Sequence, residues 1–418
     1  MRLLRPRARR GYTKAVADIQ YYPRGFGIRP QIEGRLREDY NSRIIDYIKA
    51  NDFTLSAGDL TVRLAAEFGF CYGVDRAVEY AYETRTRFPD RNIYITGEII
   101  HNPHVNQRLR EMGFRFLSGR DPVERGWEAL GPRDVVILPA FGVTVEQMNF
   151  LRERGCTLVD TTCGSVLNVW KNVERYARDG FTSVIHGKYN HEETRATASR
   201  TSLYPGGKYV VVRDLEETAA VCDTIRGGGD RLAFLARFSP AVSEGFDPGR
   251  DLERVGLANQ TTMLSSESLL VAEEIRLAMI DRYGAAELSK HFRSFDTICS
   301  ATQDRQDAVR KLLEGGVSMM LVIGGYNSSN TNNLAELSAG KVPTYHIEDA
   351  SCLVDASTIR HKPVGGKSEE TCQGWLPDGP LVIGVTAGAS TPNNRIGEVV
   401  ERILQVRGID APDLPHSP

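Results

Sequence analysis

A chain of 418 residues is too long for one ordinary hydrophobic core, so two or three α/β units, or one large one, are expected. Hydrophobic residues make up 41% and charged residues 25%, the balance of a folded globular chain, and the formal net charge of −2 gives no case for a nucleic-acid or membrane partner. The longest apolar stretch, around 317–325, falls short of the ~18–20 residues of a membrane span and reads as a buried strand.

The first ten residues, MRLLRPRARR, are rich in arginine, and no acid precedes Asp18. Organelle transit peptides share that composition, which would place the chain in a plastid-type stroma. A solvated basic tail on a cytoplasmic protein is the simpler expectation. Residues 1–60 read as an extension with little strand signal, in which 35–50 has the spacing of an amphipathic helix.

From residue 61 a βα alternation begins. Strands are expected at 61–65, 92–96, 134–138, 183–186, 209–212, 254–258, 318–323 and 381–385. Helices are expected at 74–86, 105–112, 145–153, 167–178, 265–283, 301–313, 333–339 and 393–406. Such alternation argues for α/β architecture with parallel sheets. Two polar, Gly/Pro-rich stretches, 227–251 and 361–379, read as surface insertions.

The seven cysteines form an odd set in a long chain without an apolar export signal, so reduced thiols are expected rather than a disulfide framework. In open α/β sheets, ligands bind where strands enter helices. Cys71 in GFCYG, Cys163 in DTTCGS and Cys299 in DTICSA all stand at such a turn, where a helix N-terminus favours the thiolate, the metal-ligating form. Any one of them alone would be read as a small buried hydrophobe. Three in one setting point to a metal or cluster held between subdomains, and three thiolates leave one position open for substrate. Their spacing matches no zinc finger or ferredoxin run. Cys156, Cys222, Cys352 and Cys372 lack this context.

Two further turns are suited to an anion. GGYNSSNTNN (324–333) and GVTAGASTP (384–392) each leave a strand and open a helix, presenting Ser328, Ser329, Asn330 and Ser390 with backbone N–H groups. Helix capping alone would explain either one. Neither is a nucleotide fingerprint. Histidines gather at EIIHNPH (His101, His104) and IHGKYNHEET (His186, His191), where Glu193 lies beside His191 as a possible proton donor. Thr261 and Thr262 in ANQTT occupy another such turn.

Taken in order, GFCYGVDRAV, EIIHNP, LPAFG, DTTC, HGKYNHEET, QTT, DTICSATQDRQDAV, YNSSNTNNLAEL and GVTAGASTP resemble the 4-hydroxy-3-methylbut-2-enyl diphosphate reductase family over residues 61–400. The long form with LPAFG is similar to its cyanobacterial and plastid branch. The resemblance implies three similar α/β domains in a pseudo-threefold arrangement around one 4Fe–4S cluster. The units are then expected at 61–162, 163–298 and 299–400, between an extension (1–60) and a tail (401–418). It implies Cys71, Cys163 and Cys299 as cluster ligands, with the fourth iron open to the substrate hydroxyl. It also implies His101, His191, Thr262, Ser328, Ser329, Asn330 and Ser390 around the diphosphate, Glu193 as proton donor and Thr261 orienting the alcohol. An allylic diphosphate would be reduced to isopentenyl and dimethylallyl diphosphate, with ferredoxin or flavodoxin as electron donor. Two departures stand out: Phe141 occupies a position that is His in many bacterial members, so that one diphosphate donor is either missing or replaced by Lys188 or a backbone amide, and Gly164–Ser165 replaces Pro-Trp. The competing readings are a quinolinate-synthase-like lyase on another three-cysteine cluster and a non-catalytic iron–sulfur sensor.

Overall fold

The computed structural model describes residues 20–119, 122, 126–295 and 297–410. The arginine-rich start and residues 411–418 of the expected tail lie outside the described residues. Among the described residues, the strands form three main sheets and one two-stranded hairpin. The first sheet runs Tyr21–Tyr22, Thr157–Asp160, Val135–Leu138, Ile93–Ile95, Phe114–Phe116, all parallel. The second runs Phe292–Ser294, Val255–Asn259, Thr182–His186, Tyr209–Val212, again all parallel. The third runs Thr344–Ile347, Met319–Ile323, Leu381–Ala387, Leu60–Leu64, Thr54–Ala57, and only its last pair is antiparallel. Helices cover both faces, so central strands such as VVIL (Val135–Leu138) and MMLVI (Met319–Ile323) are buried at every position.

One rule connects the sheets. The chain leaves the third sheet at Leu64 and passes Cys71, and the helix Tyr72–Arg87 then buries Val74, Ala77, Val78 and Ala81 in the first core. It leaves the first sheet at Asp160 and passes Cys163, and the helix Gly164–Arg178 packs Val169, Val173 and Tyr176 against Ala258 of the second sheet. It leaves the second sheet at Ser294 and passes Cys299, and the helix Ser300–Glu314 sets Ala308 and Val309 against Met320 and Val322 of the third. Each of these cysteines therefore stands where the chain crosses from one unit to the next.

This corrects the expected start of the first unit at 61. Leu60–Leu64 pairs with Leu381–Ala387 in the third sheet, a long-range register that local alternation cannot specify. The extension is likewise built into the cores rather than appended. Tyr21–Tyr22 adds an edge to the first sheet, and Ile44, Ile45, Ile48 and Leu55 enter the third core. The single helix expected over 35–50 is two, Arg29–Tyr40 and Arg43–Ala50, because Ser42 takes extended backbone and caps the second.

Both expected insertions also contribute core. The stretch 227–251 holds the helix Arg231–Phe238 and buries Phe234, Phe238 and Phe246 in the second unit. The stretch 361–379 contains the strand Glu370–Gln373, paired with Thr358–His361, and buries Trp375 and Leu376 in the third. The helix Asn393–Val406 runs past residue 400 and buries Ile403 and Leu404, so the expected tail begins inside a packed helix. A few large apolar side chains fix each of these segments despite their polar composition, each burial contributing roughly 1.5–3 kcal/mol.

Candidate active site

All twelve residues singled out for chemistry line one pocket at the meeting of the three units: Cys71, Cys163, Cys299, Glu193, Thr261, Thr262, His101, His191, Ser328, Ser329, Asn330 and Ser390. The thiols are placed by a shared local device. Each cysteine is the N-cap of its helix with extended backbone. Each also donates its N–H to a carbonyl of the unit it is leaving: Cys71 to Ala389 (3.1 Å), Cys163 to Ala140 (2.9 Å) and Cys299 to Thr261 (3.4 Å). Gly73 leaves room for two of them. A Cβ there would lie 2.6 Å from the Cys163 sulfur and 3.9 Å from that of Cys71.

Burial pushes the Cys299 thiol up to about 11, although Thr302 donates its N–H to the sulfur at 3.3 Å. At this cysteine burial outweighs the helix N-terminus, so without a cation the thiol keeps its proton, contrary to the expectation of a thiolate at every turn. A bound metal would release that proton.

Among the described residues, one set of three His, Cys, Asp or Glu ligand atoms lies mutually within 4.8 Å, and it is His101, His191 and Glu192. Three thiols capping helices around this pocket suit a soft, thiolate-bound metal centre.

Glu193 is the acid of the pocket. Its helix, Glu192–Ser199, brings it in almost fully buried, and burial raises its carboxyl to about 7. Thr261 opposes that shift with two donors, its N–H to Oε1 at 2.6 Å and its hydroxyl to Oε2 at 3.0 Å. The result is a carboxyl close to half protonated at neutral pH.

The imidazoles form the polar end. His191 caps the helix that carries Glu193, its Nδ1 accepting the Glu193 N–H at 3.1 Å. Burial holds its pKa down at about 3, with His101 and Lys188 contributing, so it is neutral. An accepting Nδ1 leaves the proton on Nε2, which faces His101 Nε2 at 3.3 Å. That tautomer makes His191 a donor rather than a metal ligand, with its Nε2–H directed at the His101 ring. His101 is oriented by Glu98, its Nδ1 2.9 Å from the carboxylate.

Asn330 is held by Ala389, whose N–H it accepts at 2.9 Å, while its buried Nδ2 has no partner and lines the pocket. Ser328 caps the helix Ser329–Ala339, which begins four residues earlier than its apolar pattern suggested. Ser390 donates to the His101 carbonyl at 3.0 Å, tying the third unit to the first. Gly325 permits that approach, since a Cβ there would lie 2.9 Å from the same carbonyl oxygen.

Phe141 adds no donor. It stacks on the His101 ring with centroids 4.3 Å apart and planes at 17°, and meets His191 edge-on at 5.9 Å. Lys188 lies outside the pocket that holds the thiols and lines an adjoining cavity with His101, His191, Glu192 and Ser329. Ser165 lines the thiol pocket beside Cys163, and a Cβ at Gly164 would meet open space. Gln260, within QTT, belongs to the site although the sequence assigns it no chemistry. Buried, it accepts from the Lys188 N–H (3.1 Å) and the Thr194 hydroxyl (3.0 Å), and donates to Thr262 (2.8 Å) and Ser329 (3.3 Å). It binds three motifs together through one side-chain amide.

Three α/β units sharing a pocket of three helix-capping thiols, a buried acid and an N–H-lined end define a class of enzyme whose centre is assembled at domain crossings. Comparison with known proteins narrows it. The LytB protein family model matches residues 62–404. The 4-hydroxy-3-methylbut-2-enyl diphosphate reductase of Gloeobacter violaceus is 51% identical over 394 residues, 93% of each chain. That of Thermosynechococcus vestitus is 49% identical over 393 residues, 93% of this chain and 95% of its own. A solved structure of (E)-4-hydroxy-3-methyl-but-2-enyl diphosphate reductase, the terminal enzyme of the non-mevalonate pathway, is 30% identical. It covers 82% of this chain and 99% of its own, with a TM-score of 0.51. The Plasmodium falciparum reductase, at 19% identity and a TM-score of 0.59, shares the fold. The chain belongs to the LytB family of 4-hydroxy-3-methylbut-2-enyl diphosphate reductases and is an oxidoreductase. No helix among the described residues is long and apolar enough to cross a membrane.

Proposed function

We propose that the chain reductively removes the hydroxyl of (E)-4-hydroxy-3-methylbut-2-enyl diphosphate, giving isopentenyl and dimethylallyl diphosphate, as the last step of the methylerythritol phosphate route. The reaction takes two electrons and two protons. One C–O bond breaks, the oxygen leaves as water, and one C–H bond forms on the allyl unit. The observation that carries this reading is the buried Glu193 carboxyl, poised at about 7 in a pocket shared with three helix-capping thiols.

Cys71, Cys163 and Cys299 would hold a 4Fe–4S cluster, one per chain. Their three helix-capping thiols and the space left by Gly73 beside Cys71 and Cys163 support that reading. When bound, such a group supplies electrons one at a time and, with three protein thiolates, an open coordination position. The remaining chemistry belongs to side chains. His191 Nε2–H, His101, the Asn330 amide, and the hydroxyls of Ser328, Ser329, Ser390 and Thr262 hold the diphosphate, which does not react. Its binding energy fixes where the hydroxyl lands. Thr261 orients the alcohol and keeps the Glu193 carboxyl in place, and Glu193 delivers the proton. The Phe141 face on His101 supports the orientation of that ring in place of a further donor. A ferredoxin or flavodoxin is the electron source, and the cytoplasm the compartment.

The test is anaerobic turnover of the allylic diphosphate with dithionite and a viologen mediator, with iron quantified in the same sample. Five-carbon diphosphates from iron-loaded protein are expected. A full cluster without turnover would overturn the reading and leave a non-catalytic iron–sulfur protein.

A further inference from the structure

Buried charges in proteins are ordinarily paired, because an isolated ion in a low-dielectric interior is costly. Arg305 is 3% exposed and makes no ion pair among the described residues. Among the described residues its guanidinium donates only to backbone carbonyls, to Gly69 at 2.7 Å and Ala301 at 2.8 Å, and its Nε is buried without a partner. Gly69 precedes Cys71 by two residues, and Ala301 follows Cys299 by two. Arg76 repeats the arrangement one crossing on. It stands on the helix that Cys71 caps and donates to the Thr161 and Thr162 carbonyls, the latter just before Cys163. Among the described residues it too has no carboxylate partner, and its Nε is buried and unpartnered. Each arginine thus links the helix capped by one cysteine to the turn of another, and each brings a positive charge that pairs with no acid among the described residues.

We infer that Arg76 and Arg305 are positioning residues whose unpaired charges balance the anionic three-thiolate centre and raise its reduction potential. The inference rests on the iron–sulfur reading above. A 4Fe–4S core with three thiolates is a net anion, and each electron it accepts makes it more negative. Fixed positive charge nearby favours the reduced state, just as net charge and hydrogen bonding set cluster potentials generally. The carbonyl hydrogen bonds hold the guanidinium groups in place, so the charge is delivered at fixed positions rather than by mobile surface side chains.

The experiment is a redox titration, followed by electron paramagnetic resonance, of the anaerobically loaded full chain and of its R305Q, R305K and R76Q variants. Iron and sulfide are measured alongside, and folding is checked by circular dichroism. R305Q and R76Q should each shift the midpoint to more negative potential at unchanged cluster content, while R305K stays near the parent value. An unshifted midpoint in both neutral variants overturns the inference, and so does R305K shifting as far as R305Q, since geometry and not charge would then be responsible. If folded R305Q holds no iron, R305K decides: iron retained there supports the charge, iron lost refutes it. A parent chain that binds no iron at all would instead remove the iron–sulfur reading itself.

Discussion

Thr261 grips Glu193 at both carboxylate oxygens, through its backbone N–H at 2.6 Å and its hydroxyl at 3.0 Å. The same residue accepts the Cys299 N–H through its carbonyl. The acid and one of the thiols are thereby held by a single residue of the second unit. Any movement of that turn displaces both.

Replacing Glu193 with Gln keeps the shape of the side chain but removes the proton. Cluster content should be unchanged and turnover should fall by roughly 100-fold or more, the usual scale of a lost general acid. Iron analysis together with single-turnover kinetics measures both, and normal turnover would dismiss Glu193 as the donor.

With Glu193 at about 7, its acid form dominates below that value and is lost above it. The turnover number should therefore decline as pH rises through about 7, reporting a group that must be protonated. A rate that increases through this window would assign the titration to a base instead.

In Thr261→Val the N–H donor survives and the hydroxyl donor is lost. Both bonds favour the charged carboxylate, so removing one lets burial push the Glu193 pKa higher still. The descending limb of the pH profile should move to higher pH, and a stationary limb would show that the hydroxyl does not govern the acid.

Asn330→Asp preserves the oxygen that accepts the Ala389 N–H but replaces the free Nδ2 donor with negative charge. The Michaelis constant should rise by at least about 10-fold, the loss expected for one hydrogen bond to a charged group. Steady-state kinetics at fixed iron content checks this, and an unaltered constant would place the diphosphate elsewhere.

Cys163→Ser should yield folded protein with little intact cluster, because its turn supplies one of three ligands at separate crossings. Full iron and sulfide content in that variant would remove Cys163 from the set.

Much of this molecule was legible without coordinates because it is written locally. A strand of VVIL, a cysteine before a helix and a small-residue turn before another helix declare themselves within a few residues, and the ordered motifs pointed to the family. What the sequence could not specify was the partner of each segment. Leu60–Leu64 reads the same whether it joins the first sheet or the third, and only its hydrogen bonds to Leu381–Ala387 decide. The polar stretches hid Phe234, Phe246 and Trp375, whose burial depends on surfaces far away in the chain. Gln260 was invisible as a hub because its four bonds reach three motifs that only folding brings together. The same holds for the site's electrostatics. The sequence alone determined which groups could be acid, donor and ligand. Burial, a property of the assembled interfaces, decided that Glu193 sits near neutrality, that His191 is an uncharged donor, and that Cys299 keeps its proton until a cation arrives.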